Sequence, residues 1–248
     1  MTKFETFAAL HLPGAPLILY NAWDAGSAQA VAAAGARAIA TGSWGVAKAH
    51  GFEDGEALPL ELALANAARI AASVDLPVTI DFEGGYAEDA GGVGANMARL
   101  AETGAVGCNI EDRLAGNESV YPVAVQAARI AAAVKATPPG FFVNARTDLF
   151  IQRRSDDHDD ALADAAIERA HAFAEAGASG FFVPGVVDMR VLAKICAASP
   201  LPVNFMAFFR SPSIADATAA GVARISHGPI GYRLAMKALE DAAREAFA

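Results

Sequence analysis

Prolines and glycines divide this sequence into four similar segments. Four prolines, spaced 61, 62 and 63 residues apart, each precede a short apolar run: Pro16, Pro77, Pro139 and Pro202. Four glycines each follow an alanine-rich stretch and precede a second apolar run: Gly35, Gly104, Gly177 and Gly221. Proline suits a strand start where no ladder donor is needed, and glycine accepts the left-handed conformation that ends a helix. The pattern therefore predicts four βαβα quarters.

Eight apolar runs alternate with helical stretches along the chain. The predicted strands are Leu17–Asn21, Ala38–Ser43, Val78–Phe82, Val106–Glu111, Phe141–Thr147, Gly180–Pro184, Val203–Met206 and Arg224–His227. Apolar strands alternating with helices are typical of a parallel sheet covered on both faces. With 248 residues, close to the roughly 250 of one (β/α)₈ TIM barrel, we expect residues 1–248 to form one such domain. A doubly wound sheet is the competing interpretation, but it normally uses fewer strands.

The charge balance excludes some partners. The formal net charge is −9 and the isoelectric point is about 5.0, so there is no general electrostatic reason to bind nucleic acid or an anionic membrane. Two cysteines, Cys108 and Cys196, provide no disulfide framework. No basic and apolar leader and no apolar run of about 18 residues is present in the sequence. We therefore expect a cytoplasmic protein that binds neither nucleic acid nor membrane.

Acidic residues follow two neighbouring predicted strands. Asp81 and Glu83 end the third strand, and Glu111 ends the fourth. Function in a (β/α)₈ barrel belongs at these carboxyl ends. Converging carboxylates raise one another's pKa, and a hard cation such as Mg²⁺ relieves the repulsion while keeping several waters. Helix capping by these acids is the alternative interpretation.

Two further strand ends carry groups suited to anions. Arg146 ends the fifth strand, where its guanidinium predicts a two-pronged clamp on a carboxylate or phosphonate. A structural ion pair is the alternative for this arginine. Gly42, Ser43 and Trp44 end the second strand, and small residues there let backbone amides approach an anion. We expect the following stretch, Trp44–Leu58, to be the longest irregular loop, lying over the active face.

An ordered set of short motifs completes the pattern. The motifs are Asn21-Ala22-Trp23-Asp24, Thr41-Gly42-Ser43, Asp54, Asp81-x-Glu83-Gly84-Gly85-Tyr86, Ile110-Glu111-Asp112 and Ala145-Arg146-Thr147. Together they resemble the isocitrate lyase/phosphoenolpyruvate mutase superfamily from about Phe4 to the C-terminus.

The resemblance implies a Mg²⁺-dependent lyase (Mn²⁺ is a possible substitute) that acts on a small 2-oxo or 2-hydroxy carboxylate through an enolate. It implies direct metal binding by Asp81, with Asp54, Glu83 and Glu111 reaching the metal through water. The predicted catalytic residues are Arg146, Asp54 and Glu111. The predicted substrate-binding residues are Gly42, Ser43, Trp44, Asp24, Arg146, Asn204 and His227. For His227, contact with a distal carboxylate and an ordinary core or loop histidine both stay open.

The resemblance also implies a homotetramer, a dimer of dimers in which the last helix swaps onto a partner barrel. The final predicted helix, Ile230–Phe247, carries an apolar stripe suited to burial.

The stretch Asp112–Ser119 departs from the superfamily's pattern. It lacks the Lys-Lys-Cys-Gly-His loop of the lyases, and only Asn117 approximates the lysine-asparagine loop of the phosphonomutases. A histidine of that branch is replaced by Val183-Pro184-Gly185. These differences favour oxaloacetate-decarboxylase-like C–C cleavage, with the final proton from solvent or a loop group such as His50. Lysis of an isocitrate-type substrate would instead need an acid from another loop, His50 or Lys48 first. P–C bond cleavage or rearrangement with Asp54 as nucleophile, and a non-catalytic 2-oxo acid binding protein, are the alternatives.

Overall fold

The computed structural model of the chain describes residues 1–114 and 119–248. Its strands are β1 (Leu17–Leu19), β2 (Asn21–Ala22), β3 (Ile39–Thr41), β4 (Val78–Asp81), β5 (Gly107–Glu111), β6 (Phe142–Arg146), β7 (Gly180–Phe182), β8 (Val203–Met206) and β9 (Arg224–Ser226). All pairings between these strands are parallel, and β1 pairs with β9 while β2 pairs with β3. Because only Tyr20 separates β1 from β2, they are two parts of one strand. The nine segments thus form the eight strands of the predicted (β/α)₈ barrel.

Ten α-helices surround or flank these strands in the described residues. They are α1 (Lys3–Ala9), α2 (Ala25–Ala33), α3 (Ser43–Ala49), α4 (Leu60–Ser73), α5 (Ala90–Ala101), α6 (Val123–Ala136), α7 (Asp160–Glu175), α8 (Met189–Ala198), α9 (Ile214–Ala219) and α10 (Ile230–Ala246). A 3₁₀ turn, Ser155–Asp157, precedes α7. Within the described ranges, no helix combines the length and apolarity needed to cross a membrane.

Most of the prolines and all of the glycines that were predicted to mark strand starts and helix ends occupy those backbone positions. The four helix-ending glycines have φ angles of 94°, 90°, 93° and 98°: Gly35, Gly104, Gly177 and Gly221. Strands β1, β4 and β8 begin directly after Pro16, Pro77 and Pro202. The interpretation of Trp44–Leu58 as wholly irregular was wrong at its start, because residues 43–49 form helix α3. Ser43, predicted as the end of a strand, is therefore the first residue of that helix.

The core has two parts. The larger cluster lies between the barrel and its outer helices and includes Ile39, Met97, Phe173 and Phe205. The smaller cluster closes the amino end of the barrel, where α1 places Phe7 against Leu17 and Phe142. We call this amino end the floor and the opposite, carboxyl end of the strands the mouth. Cys108 is buried at 0% exposure beside Met97 and packs in the core.

Candidate active site

The barrel register brings the predicted acidic residues together at the mouth. Asp81 ends β4, Glu111 ends β5 and Arg146 ends β6. Glu111 and Arg146 occupy paired positions of neighbouring strands, and the Arg146 Nη1 atom lies 2.9 Å from Glu111 Oε2. Glu83 follows β4 by two residues and is only 4% exposed. We call Asp54, Asp81, Glu83 and Glu111 the acid cluster.

Asp81 is oriented by three neighbours. Its Oδ2 accepts a hydrogen bond from the Ser43 amide at 3.0 Å, and its Oδ1 accepts one from Asn109 Nδ2 at 3.3 Å. Its own amide donates to the Thr41 hydroxyl at 2.8 Å. The first turn of α3 and the interior of the barrel thus fix this carboxylate.

Burial and mutual repulsion raise the pKa values of the other acids. Burial raises the pKa of Glu83 to about 7, and the charges of Asp54 and Asp81 add to this effect. Burial also raises the pKa of Glu111 well above its ordinary value, although Arg146 lowers it. Desolvation, followed by the Asp81 charge, raises the pKa of Asp54. Asp54 itself lies at the solvent-exposed rim. The upward shifts in the pKa values of Asp54, Glu83 and Glu111 are those expected of buried, converging carboxylates.

Arg146 is engaged by carboxylates of the protein itself. Its Nε and Nη2 atoms donate to the two Asp148 oxygens at 2.6 and 3.0 Å, and its Nη1 faces Glu111. Burial lowers its pKa, but Asp148 and Glu111 outweigh burial and the net shift is upward. Because a guanidinium has five donors, these three contacts leave N–H groups for a substrate.

The remaining predicted binding residues divide into two groups. Gly42, Ser43 and Trp44 lie at the start of α3, next to Asp81. Within the described part of the chain, the backbone amides of Trp44 and Gly45 donate no hydrogen bond to backbone outside helix α3, as expected for the first turn of a helix.

Asp24, Asn204 and His227 do not contact the acid cluster directly. Asp24 caps α2 by accepting the Ser27 amide at 2.7 Å. His227 Nδ1 lies 3.2 Å from the Leu19 carbonyl. Asn204 is buried inside the barrel, where its Oδ1 accepts from Asn144 Nδ2 at 3.2 Å.

A cavity of about 420 Å³ opens beside the acid cluster. Asp54, Glu111, Arg113, Tyr121 and Arg129 are among the residues that line it. Both side chains suggested as proton sources already have partners. Lys48 pairs with Glu53 at 2.6 Å, and His50 Nδ1 lies 2.9 Å from the Val46 carbonyl. Asn117, singled out in the sequence, lies outside the described residues.

Sequence reasoning missed several residues that shape the mouth. Asp148 lies two residues beyond Arg146, so strand alternation offered a signal for it. Asn109 precedes Glu111 by the same interval. Glu56 and Arg129 had no comparable signal, because they reach the site from a loop and from helix α6. A second buried pair, Arg169 Nη1 with Asp112 Oδ2 at 3.0 Å, supports the same region, since Asp112 Oδ1 accepts the Asp148 amide.

The described residues contain no group of three or more His, Cys, Asp or Glu side chains arranged to hold a metal ion by themselves. Four carboxylates nonetheless lie near Arg146: those of Asp54, Asp81, Glu111 and Asp148. An ion held by one carboxylate, with water between it and the others, suits such an arrangement, and Mg²⁺ is commonly bound in that way.

Known proteins resemble this chain along nearly its whole length. A crystal structure of a proposed phosphonomutase from Burkholderia cenocepacia J2315 superposes with a TM-score of 0.95, at 45% identity over 98% of each chain. An uncharacterized protein of Mycobacterium tuberculosis is 37% identical over 96% of this chain and 88% of its own length. The 2-methylisocitrate lyase of Escherichia coli K12 is 30% identical over 82% of this chain and 73% of its own.

A more distant structure, a phosphonopyruvate hydrolase in complex with oxalate and Mg²⁺, shares the fold with a TM-score of 0.85 at 21% identity, over 97% of this chain and 85% of that one. Residues 7–247 match the phosphoenolpyruvate phosphomutase family. The chain therefore belongs to that family of lyases and mutases, within the isocitrate lyase/phosphoenolpyruvate mutase superfamily.

Proposed function

We propose that this protein is a Mg²⁺-dependent carbon–carbon lyase that cleaves a small 2-oxo acid through an enolate, with oxaloacetate as the simplest substrate. The observation that carries the proposal is the acid cluster around Asp81, where four carboxylates converge at the mouth and Asp148 already engages the neighbouring Arg146. Such an excess of negative charge fits a divalent cation better than it fits any helix-capping role.

The residues present fit Mg²⁺. Asp81 is the proposed direct ligand, and Asp54, Glu83 and Glu111 are proposed to reach the ion through water. Mn²⁺, which also prefers oxygen ligands, is a possible substitute. When bound, the ion supplies Lewis-acid stabilisation of the charge that develops on the substrate's 2-oxygen. A Mg²⁺ complex of a structural neighbour supports this choice of metal.

The protein's own groups would orient the substrate. The amides of Trp44 and Gly45 are proposed to hold its carboxylate, because they point from the start of α3 and, among the described residues, donate no hydrogen bond to backbone outside that helix. The Arg146 guanidinium, fixed by Asp148 and Glu111, is proposed to hold the reacting end. Fixed donors of this kind stabilise developing charge without reorganising during the reaction.

Decarboxylation is favoured because it demands the fewest additional groups. Lysis of an isocitrate-type substrate requires a positioned proton donor, and the sequence from Arg113 to Ser119 offers only Glu118 as a titratable group other than arginine. A glutamate with an ordinary pKa is ionised near pH 7 and cannot donate a proton. Glu118 itself lies outside the described residues. P–C bond cleavage is the second candidate, supported by the 45% identity to a proposed phosphonomutase and by Asp54 at the rim.

A small substrate panel tests the proposal. Oxaloacetate, alkylated malates, methylisocitrate and phosphonopyruvate are each supplied with Mg²⁺, and release of pyruvate or phosphate is followed. We expect the highest kcat/KM for oxaloacetate. A higher value for methylisocitrate or phosphonopyruvate would overturn the choice of reaction, and tight binding without turnover of any compound would support a binding protein instead.

We also propose that the chain forms a homo-oligomer, a dimer of dimers that exchanges α10. Gly231 is the only buried residue of this helix, while Leu234 and Leu239 are 49% and 62% exposed. On the barrel wall, a groove of about 410 Å³ exposes Ile18 and Tyr20 of the first strand, where the eighth helix of a closed barrel would lie. Light scattering at micromolar concentration should give a tetramer, and Leu239→Glu should shift it toward smaller species. A monomer for the parent protein would exclude this assembly.

A further inference from the structure

Three strained residues lie together at the mouth. Among the described residues, only Glu56, Glu83 and Tyr86 combine a side chain with a positive φ, at 63°, 49° and 55°. Such a conformation is costly for residues other than glycine and persists only where the surroundings impose it. It concentrates at functional sites, so three neighbouring cases require an explanation.

These residues are joined by reciprocal hydrogen bonds. The amides of Gly55 and Glu56 donate to Glu83 Oε2, the first at 2.8 Å. In return, Glu56 Oε1 accepts the Tyr86 amide at 2.6 Å. The Tyr86 hydroxyl donates to Glu83 Oε1 at 3.3 Å. Each glutamate side chain therefore binds the backbone of the other segment. We call residues 54–56 and 83–86, joined in this way, the clasp.

One half of the clasp is firmly anchored. The guanidinium of Arg129, which is 1% exposed, donates to the carbonyls of Gly84, Ala87 and Glu88. An added Cβ at Gly84 would lie 3.1 Å from Glu56 Oε1, which is a tight contact, so glycine at this position leaves space for the Glu56 carboxylate. The turn after β4 is thus shaped to receive the Glu56 carboxylate.

The other half has little support of its own. No residue from Gly51 to Ala57 is buried, and Asp54 and Gly55 are exposed. Gly55, with φ 94°, uses glycine for a left-handed backbone, whereas the next position carries a glutamate at φ 63°. If the side chain at position 56 made no bond, glycine would be favoured at both positions. The bond between the Glu56 side chain and the Tyr86 amide therefore explains why a glutamate occupies this strained position.

We propose that Glu56 is a positioning residue whose bond to the Tyr86 amide holds residues 54–56 over the acid cluster and thereby places Asp54. The role of Asp54 and Glu83 at a metal rests on the proposed function, but the clasp consists of hydrogen bonds between groups of the protein itself. Its existence can therefore be tested whether or not the proposed reaction is correct.

Three variants separate the side chain from the backbone at this position. Glu56→Gly removes the carboxylate but relieves the left-handed strain, and Glu56→Gln keeps an oxygen acceptor of the same length. Glu53→Gln is the control, because Glu53 lies in the same loop and pairs with Lys48. For each variant, hydrogen exchange of the peptides covering residues 52–58 and 83–88 is measured without metal, with Tm, and then kcat and KM with Mg²⁺ and oxaloacetate.

We expect Glu56→Gly to speed exchange in both peptides by about tenfold or more while Tm stays within a few degrees of the parent. If the proposed reaction is correct, kcat should fall by roughly ten- to a hundredfold with a smaller change in KM. Glu56→Gln should stay within about threefold of the parent in exchange, and Glu53→Gln should match the parent.

Unchanged exchange in Glu56→Gly would overturn the clasp. A loss of kcat that is matched by a large loss of Tm would overturn the positioning role and leave a structural one. If the parent does not turn over oxaloacetate, the proposed reaction fails but the exchange data still decide on the clasp.

Discussion

The mouth and the floor of the barrel both bury ionisable groups, but they treat charge differently. At the mouth, four carboxylates approach one another, and burial together with the neighbouring negative charges raises the pKa values of Asp54, Glu83 and Glu111. At the floor, burial lowers the pKa of His11 to about 3, so this ring stays neutral and stacks on Phe142 with centroids 4.2 Å apart. Carboxylates repel one another at the mouth, whereas the buried histidine at the floor is neutral. This difference indicates that the mouth serves binding and the floor serves stability.

The strongest test of this contrast is removal of the central carboxylate. Asp81→Ala should lower kcat/KM by at least about a thousandfold, on the order of 4 kcal/mol of transition-state stabilisation, because the proposed direct metal ligand is lost. Tm should change little, since the substitution also removes like-charge repulsion. Asp75→Ala, in the turn before the same strand at the floor end, is the matched control. Activity that survives in Asp81→Ala would remove the basis of the metal proposal.

The opposite pattern is expected at the floor. Phe7 is fully buried and packs edge-on against Phe142 with centroids 5.3 Å apart. Phe7→Ala should lower the free energy of unfolding by about 3–5 kcal/mol, because it leaves a cavity in the small cluster. KM of the folded protein should stay unchanged. Denaturant unfolding measures the first effect, and Phe209→Ala, at a position that is 61% exposed, should change stability by less than about 0.5 kcal/mol. An altered KM in Phe7→Ala would mean that the two ends are coupled.

Sequence reasoning anticipated the barrel and the strand-end acids for the same reason. Strands in a parallel barrel carry their carboxyl ends to one face, so Asp81, Glu111 and Arg146 had to meet once the eight strands were recognised. The predicted strand Val203–Met206 coincides with β8, and every other predicted strand end lies within two residues of the observed one. Helix α3 was missed because seven residues are too few for a helical period to stand out.

The contacts that hold the site residues in place could not be predicted from the sequence in the same way. Glu56 bonds to a residue 27 positions away and Arg129 to a carbonyl 45 positions away. Which loop groups meet across such distances depends on backbone conformations that no local pattern encodes. The left-handed φ of Glu56 and Glu83 is a clear case, because propensity alone would assign glycine there.

The predicted anion clamp gives a smaller effect than loss of the metal ligand. Arg146→Lys keeps the charge but loses the planar fork that meets Asp148 with two bonds, so kcat/KM should fall roughly ten- to a thousandfold, about 1.4–4 kcal/mol. Tm must be measured beside it, because the guanidinium also pairs with Glu111. Arg190→Lys, in an exposed pair with Asp160, is the control. A normal kcat/KM with a lowered Tm would identify Arg146 as a structural ion-pair residue.

The smallest expected effect is a difference between the two ends in how they make the stability of the protein depend on pH. His11 has a folded-state pKa of about 3, below its ordinary value of 6.5. A group with a lowered folded pKa favours folding above its unfolded pKa, and that stability is lost as the pH falls toward the folded value. At pH 5, about 1.5 units below the ordinary value, the loss is about 2 kcal/mol.

Glu83 acts in the opposite sense in the metal-free protein. Its pKa is raised from 4.5 to about 7, so its contribution is fully present below pH 4.5 and is lost as the pH rises through 7. His11→Phe keeps the aromatic stacking on Phe142 but removes titration at the floor. We therefore compare the free energy of unfolding at pH 5 with that at pH 7. The value at pH 5 minus the value at pH 7 should be more positive in His11→Phe than in the parent by about 2 kcal/mol. Glu83→Gln should shift the same difference in the unfavourable direction. Parallel pH profiles for the parent and His11→Phe would show that the floor histidine is not held neutral, and the contrast between the two ends would then rest on the acid cluster alone.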